Sequence, residues 1–330
     1  MALDVARDGP ADAKKIAIIS SAVHGVEGFC GSGIQVQALR DPSWREQVLG
    51  GNSNDVAVLY LHAINPWGFS HLRRVTHENV DMNRNFPDFS KPLPANVGYR
   101  ELRPLLLPST WPPAPEVQQQ VQQYIATRGM KGLQAAASAG QYEFAGGLFF
   151  GGHAPTWSNT ALRQVLRDYC GQASHVAWVD LHTGLGPTGV GERIYSGHEG
   201  DLGNYARCAR WWGNAGAAPI TRLDDGSTSP ADLNGTIRQC VDTELAHAEA
   251  TKITLEFGTA LVMQGLQAMG AEQWLKLHPE TPAPKAASIK QALRDYFYVD
   301  THEWKTQIPH QGLQTLAQMV GGLSEPAQSA

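Results

Sequence analysis

The sequence predicts an α/β protein: a mainly parallel sheet sandwiched between helices. Three observations predict it. Short runs rich in Ile, Val and Leu recur along the chain, helical patterns lie between them, and each run stops at a cluster of polar residues. Near-continuous apolar runs suit strands buried on both faces of a parallel sheet, and alternation with helices supplies the crossovers.

The elements follow in order. KKIAIISSAVHG (residues 14–25) is the first strand and stops at His24-Gly25. The chain opens almost directly on it, so an earlier edge strand is expected to be missing. A helical pattern covers 33–39. DVAVLYLHAINPWGF (55–69) repeats the strand design and stops at Asn65-Pro66. Residues 91–114 are rich in proline and predict a surface excursion. Helix is expected over 115–137, and the glycine-rich stretch 140–152 reads as a loop and hairpin. A helix over 160–170 leads into HVAWVDLHTGLG (175–186), the third strand, and another helix is expected over 202–212. TKITLEFGT (251–259) is the fourth strand of this design. The small, polar tail after Gly321 predicts fraying. No second core or internal repeat stands out, so residues 1–330 are expected to form a single catalytic domain.

Composition narrows the function. The chain has 330 residues, 42% of them apolar and 17% charged, enough for a sizeable core. Its net charge is −5, and no basic stripe offers a surface for nucleic acid. No stretch approaches the roughly 18 apolar residues of a membrane span. The N-terminus has no apolar leader segment, which predicts a cytoplasmic protein. Cys30, Cys170, Cys208 and Cys240 are scattered without metal-ligand spacing and read as free thiols of a reducing compartment. Oligomeric state is not indicated.

Chemistry concentrates at the strand ends, where open α/β sheets bind ligands. His24 and Glu27 lie three residues apart where a strand becomes a turn. A catalytic zinc takes three N or O ligands and keeps one position open. A third ligand is therefore expected from a distant strand, and Asp180-Leu-His182 supplies one. His62, His153 and His198 compete, but each lacks an acidic partner at ligand spacing. Asp180 either orients a neighbour or caps its loop. Glu256 is a carboxylate embedded in an apolar strand, so it is either ion-paired or faces a polar cleft, where it would serve as a general base. The block from Arg73 to Phe86 holds Arg73, Arg74, Asp81, Asn83 and Arg84. Alone it reads as a solvated loop; beside a metal its guanidinium groups could clamp a carboxylate or stabilise an oxyanion.

Taken in order, HxxE, NPxGF, R…DxNRN, DLHTG and TxE resemble the zinc carboxypeptidase superfamily. The full strings HGVEGFCGSGIQ, HAINPWGF, RRVTHENVDMNRNF, DLHTGLGPTG and LEFGT resemble more closely a bacterial carboxypeptidase-like branch long catalogued as a domain of unknown function. The similarity runs from about residue 15 to about 304. It implies a mixed, mostly parallel sheet of about eight strands sandwiched between helices, and His24, Glu27 and His182 as ligands of one zinc per chain. Asn83 and Arg84 would bind the substrate's terminal carboxylate, Arg74 or Arg73 would polarise the scissile carbonyl, and Glu256 would be the base. The spacing from arginine to Asn83-Arg84 is shorter than in the digestive carboxypeptidases. No residue is identified for the tyrosine that closes over substrate there, Tyr142 and Tyr195 being the candidates.

The expected activity is a zinc metallocarboxypeptidase acting on a peptide with a free carboxylate. The alternative is an N-acyl amino-acid deacylase of the aspartoacylase or desuccinylase type. A non-catalytic binding module would lack at least one of His24, Glu27, His182 and Glu256, and all four are present.

Overall fold

A computed structural model describes residues 1–49, 55–195, 197, 202–213, 220–222, 227–230 and 233–325. Among them lies one mixed sheet of seven strands, ordered β1-β3-β2-β4-β7-β5-β6. The centre is parallel: β3 (Val56–His62), β2 (Lys15–Ser20), β4 (His175–Thr188) and β7 (Glu249–Gly258). These are the four strands the apolar runs predict, and their cores are buried on both faces.

The three remaining strands were not located in the sequence. β1 (Asp4–Asp8) pairs antiparallel with β3 and closes one edge, where the sequence predicts no earlier strand. Its DVARD carries too little apolar character to stand out, because an edge strand is buried only in part. β5 (Gly191–Tyr195) runs antiparallel to β7, and the three-residue β6 (Ile220–Arg222) pairs with β5.

Helices cover both faces. On one side α1 (Gly28–Arg40), α7 (Leu202–Trp212) and α11 (His302–Ser324) pack over Ile19, Val58, Val179 and Leu255. On the other, α6 (Trp157–Cys170) and α8 (Gln239–Glu244) cover Ile18, Leu59, Trp178 and Val176. Between them along the chain lie α2 (Pro42–Leu49) and α3 (Pro66–Ser70). The proline-rich excursion is partly ordered. Residues Val97–Leu106 form α4, whose Tyr99 and Leu102 are fully buried against Leu133 of α5 (Pro115–Ser138). Asn96 starts α4 by accepting the Tyr99 N–H at 2.9 Å. Two further helices, α9 (Val262–Leu277) and α10 (Ala283–Phe297), contribute Leu266, Met269 and Tyr296 to the lining of a pocket. The terminal helix continues through Ser324, past the expected start of the frayed tail; residues 326–330 lie outside the described residues. No described helix is long and apolar enough to cross a membrane.

Candidate metal centre

The parallel strands end together, and their ends bring His24, Glu27, His182 and Glu256 into one pocket. His24 follows β2. His182 sits on β4 directly opposite Glu256 on β7 in the parallel register, which sets the two side chains on the same face. Glu27 reaches the site through a tight turn, residues 25–27, that precedes α1. That turn is clamped to the loop after α3: Gly25 N donates to Arg74 O at 3.1 Å and Val26 N to Arg73 O at 2.9 Å. Here only glycine fits, since a Cβ on Gly25 would lie 2.1 Å from the Gly68 carbonyl carbon. Asn65 holds the other side of the clamp. Its carbonyl oxygen caps α3 at Gly68 N and its amide donates to Arg74 O. The NPxGF string is thus scaffold for the arginine loop.

His24, Glu27 and His182 form a group that could hold a metal ion: one ligand atom from each lies within 4.8 Å of the others, and all three residues are buried. Glu27 Oε1 is 2.8 Å from His24 Nδ1, and Glu27 Oε2 is 3.1 Å from His182 Nδ1. The outer nitrogens face carboxylates: His24 Nε2 lies 3.0 Å from Asp81 Oδ1, and His182 Nε2 lies 2.7 Å from Asp180 Oδ2. With the Nε2–H of His24 donated to Asp81, Nδ1 is left bare, and that buried Nδ1 has no hydrogen-bond partner. An orphaned ring nitrogen beside a carboxylate, with the opposite nitrogen held by an acid, is the donor set a divalent cation takes. The residues present therefore fit a metal. Asp180 is itself braced by Ser20 Oγ, which accepts from Trp178 Nε1 at 2.6 Å.

The electrostatics agree with the geometry. Burial alone would raise the Glu27 carboxyl, but His24, His182 and Arg74 hold it well below the usual carboxylate range. Burial alone would lower His182, and Asp180 and Glu27 raise it well above the ordinary imidazole value instead. Glu256 behaves oppositely to Glu27. Burial, reinforced by the Glu27 charge, pushes its carboxyl up to about 7, and its one donor among the described residues is Leu185 N at 3.0 Å. No cationic side chain is ion-paired with it among the described residues, so the structural ion pair weighed for this position is absent.

The two adjacent arginines part company. Arg74 enters the pocket: Nη1 donates to Glu27 Oε1 at 2.7 Å and Nε to Asp81 Oδ2 at 3.1 Å, while Nη2 lies 2.9 Å from His24 Nε2. Arg73 turns away, its Nε to Glu272 at 2.8 Å and its Nη2 to Gln273 at 2.7 Å, both on α9. It does not line the pocket. Asn83 and Arg84 do. Asn83 Oδ1 accepts the Ile237 N–H at 3.0 Å. Arg84 places Nε and Nη2 on Ser138 O and Nη1 on Asn83 O, with no acid among the described residues as partner. Three of its five N–H groups are used, which leaves one on each terminal nitrogen.

His62 packs edge-on against Phe69, and His153 lies 2.9 Å from Tyr142 O; neither joins the metal group. His198 lies outside the described residues. Of the two tyrosines considered, Tyr142 donates to Arg84 O at 2.8 Å, and Tyr195 is buried against Tyr205. The tyrosine that lines the pocket is Tyr296 of α10, whose hydroxyl donates to Gly184 O at 3.0 Å. Sequence reasoning missed it, and it missed Arg238, because each occupies a position that reads as helix or loop and carries no motif.

A family profile described as a protein of unknown function matches residues 1–311. The chain belongs to the DUF2817 family. No curated protein sequence matches this DUF2817 member. Among solved structures, it is similar to carboxypeptidase A from Helicoverpa armigera at 12% identity and TM-score 0.44, over 88% of this chain and 68% of that one. It is similar to a succinylglutamate desuccinylase from Silicibacter sp. TM1040 at 14% and 0.36, over 88% and 58%. A metallo-carboxypeptidase from Pseudomonas aeruginosa matches at 14% and 0.37, over 97% and 61%. The chain thus spans less than two thirds of the latter two proteins. Likenesses this distant carry no weight for chemistry, and for this DUF2817 protein the chemistry rests on its own residues.

Proposed function

We propose that this protein is a zinc-dependent hydrolase that cleaves an amide bond next to a free carboxylate, a metallocarboxypeptidase in type. One observation carries the reading: two imidazole Nδ1 atoms and a carboxylate converge in a pocket that also holds an acid without a cationic partner and a guanidinium with free donors. His24, Glu27 and His182 would hold the metal, with Asp81 and Asp180 fixing the two rings. The metal, when bound, would supply a Lewis acid that acidifies water and polarises a carbonyl.

The chain's own groups do the rest. Glu256 takes the proton from the attacking water and later passes it to the leaving nitrogen. Burial raises its basicity enough for the first task and leaves its acid form accessible for the second. Arg74 spends its Nε N–H on Asp81 and one Nη1 N–H on Glu27, and a remaining N–H donates to the carbonyl oxygen as negative charge develops there. Asn83 and Arg84 hold the terminal carboxylate, and Arg84 can offer it two parallel hydrogen bonds. The four buried free thiols agree with a cytoplasmic setting.

A panel of blocked dipeptides and N-acetylated or N-succinylated amino acids tests the reading. Hydrolysis of the dipeptides supports the carboxypeptidase. Turnover of only the acylated amino acids moves it to a deacylase with the same centre. No hydrolysis of either class by zinc-loaded protein overturns it.

A further inference from the structure

Arg238 lines the same pocket as Glu256, Asn83 and Arg84, on the segment that leads into α8. It is 5% exposed, and its Nε and Nη1 have no hydrogen-bond partner. No described carboxylate forms an ion pair with it. The acids around it are engaged elsewhere: Asp180 by His182 and Ser20, Asp242 by Lys252, and Glu256 by Leu185 N. The pocket lining also includes Ile194, Leu233 and Pro230, apolar side chains that offer nothing to solvate a cation.

The backbone around Arg238 is anchored twice. The Ile237 N–H donates to Asn83 Oδ1 at 3.0 Å, and Arg238 O accepts from Lys252 Nζ at 3.3 Å. A guanidinium held in place, desolvated and unpartnered is costly unless something anionic comes to it. Burial pulls its pKa down to about 10, so it stays charged at neutral pH. The pocket therefore carries a second anion position, distinct from Arg84 and tied to it through Asn83.

We propose that Arg238 is the specificity residue of this site and binds the side-chain carboxylate of an acidic substrate residue, while Arg84 and Asn83 hold that residue's α-carboxylate. The substrate class is then an amide of a dicarboxylic amino acid. This rests on the amide-hydrolase reading for its catalytic meaning, but the binding claim stands apart from it.

The test compares glutamate with glutamine, which share shape and differ in the terminal charge. Zinc-loaded wild type should hydrolyse blocked dipeptides ending in glutamate at least about ten-fold better in kcat/KM than those ending in glutamine, the order of one charge-assisted pair. Calorimetry should show the same preference for free L-glutamate over L-glutamine, whether or not any amide is cleaved. In Arg238→Gln the glutamate to glutamine ratio should fall below about two-fold. Arg238→Lys, which keeps the charge and loses the fork, should retain part of it. Equal handling of the two ligands by wild type overturns the proposal, and that measurement needs no variant to fold. A preference that persists in folded Arg238→Gln overturns it too. If every amide resists hydrolysis while calorimetry still separates glutamate from glutamine, the hydrolase reading fails and the Arg238 assignment survives.

Discussion

The two ends of the pocket are wired in opposite ways. At the metal end nearly every polar atom is answered by protein: the rings lean on Asp81 and Asp180, and Glu27 is shared between two histidines and Arg74. What is left over is one bare nitrogen beside a concentration of negative charge, a donor set that suits a small cation. At the other end Arg84 and Arg238 keep unused N–H groups in a lining of apolar side chains. Those donors suit anions, which the proposed substrate would bring. In the proposed function one end would build the catalyst and the other would select the molecule.

Removing a ligand attacks the first end most severely. His182→Ala should lose the zinc and with it all measurable hydrolysis, because a two-point chelate binds metal weakly. Elemental analysis of the dialysed variant should find near-zero zinc against about one per chain in wild type. Full occupancy would move the third ligand to another residue.

Glu256→Gln separates chemistry from assembly at the same end. Zinc content and melting temperature should stay near wild type while kcat falls by about 10²–10⁴-fold, the worth of a general base. The pH profile sharpens this. Glu256 acts as a base only when ionised, so kcat/KM should fall as pH drops through its pKa. Burial lifts that pKa to about 7 without metal, and a bound dication lowers it. The acid limb should therefore lie below about 7 and be missing from Glu256→Gln.

Arg74→Met and Arg73→Met break the comparison at adjacent positions. The Arg74 variant should lose turnover by about 10²-fold, as for an oxyanion donor, and should lose stability as well, because the buried Glu27 and Asp81 each lose a partner. The Arg73 variant should keep its kinetics and lose about 3 kcal/mol of stability, because Glu272 would stay buried with only Lys290 beside it. Chemical denaturation and steady-state kinetics on both proteins would expose an exchange of these roles.

Asp81→Asn should produce the smallest effect, a loss of about 10–100-fold in zinc affinity, since an amide still touches His24 but supports it less well. Competition with a chromogenic chelator reads it directly.

Adjacent Arg73 and Arg74 also mark where sequence stops being informative. The four central strands were legible because burial on both faces leaves an unbroken apolar run. The polar residues that end those runs, His24, His182 and Glu256, therefore stood out. Which arginine turns inward depends on a loop clamped between Asn65 and Gly25, a tertiary contact with no local pattern. Edge strand β1 was hidden because a partly buried strand need not be apolar. No motif marks Tyr296, which lies on α10, or Arg238, which immediately precedes α8. Asp180 and Asp81 were visible as acids in the motifs, but their service to the histidine rings is a distance in space.

The account's central claim is a metal-dependent hydrolase that reads a free carboxylate. A matched pair of blocked dipeptides, one a C-terminal acid and one its amide, tests it most directly when assayed with zinc, after chelation and after zinc is restored. The acid should be cleaved at least about 10²-fold better in kcat/KM than the amide, the order of a charge-assisted bidentate contact. Hydrolysis of the acid should vanish with the chelator and return with the metal. Cleavage that survives chelation, or a preference for the amide, would contradict it.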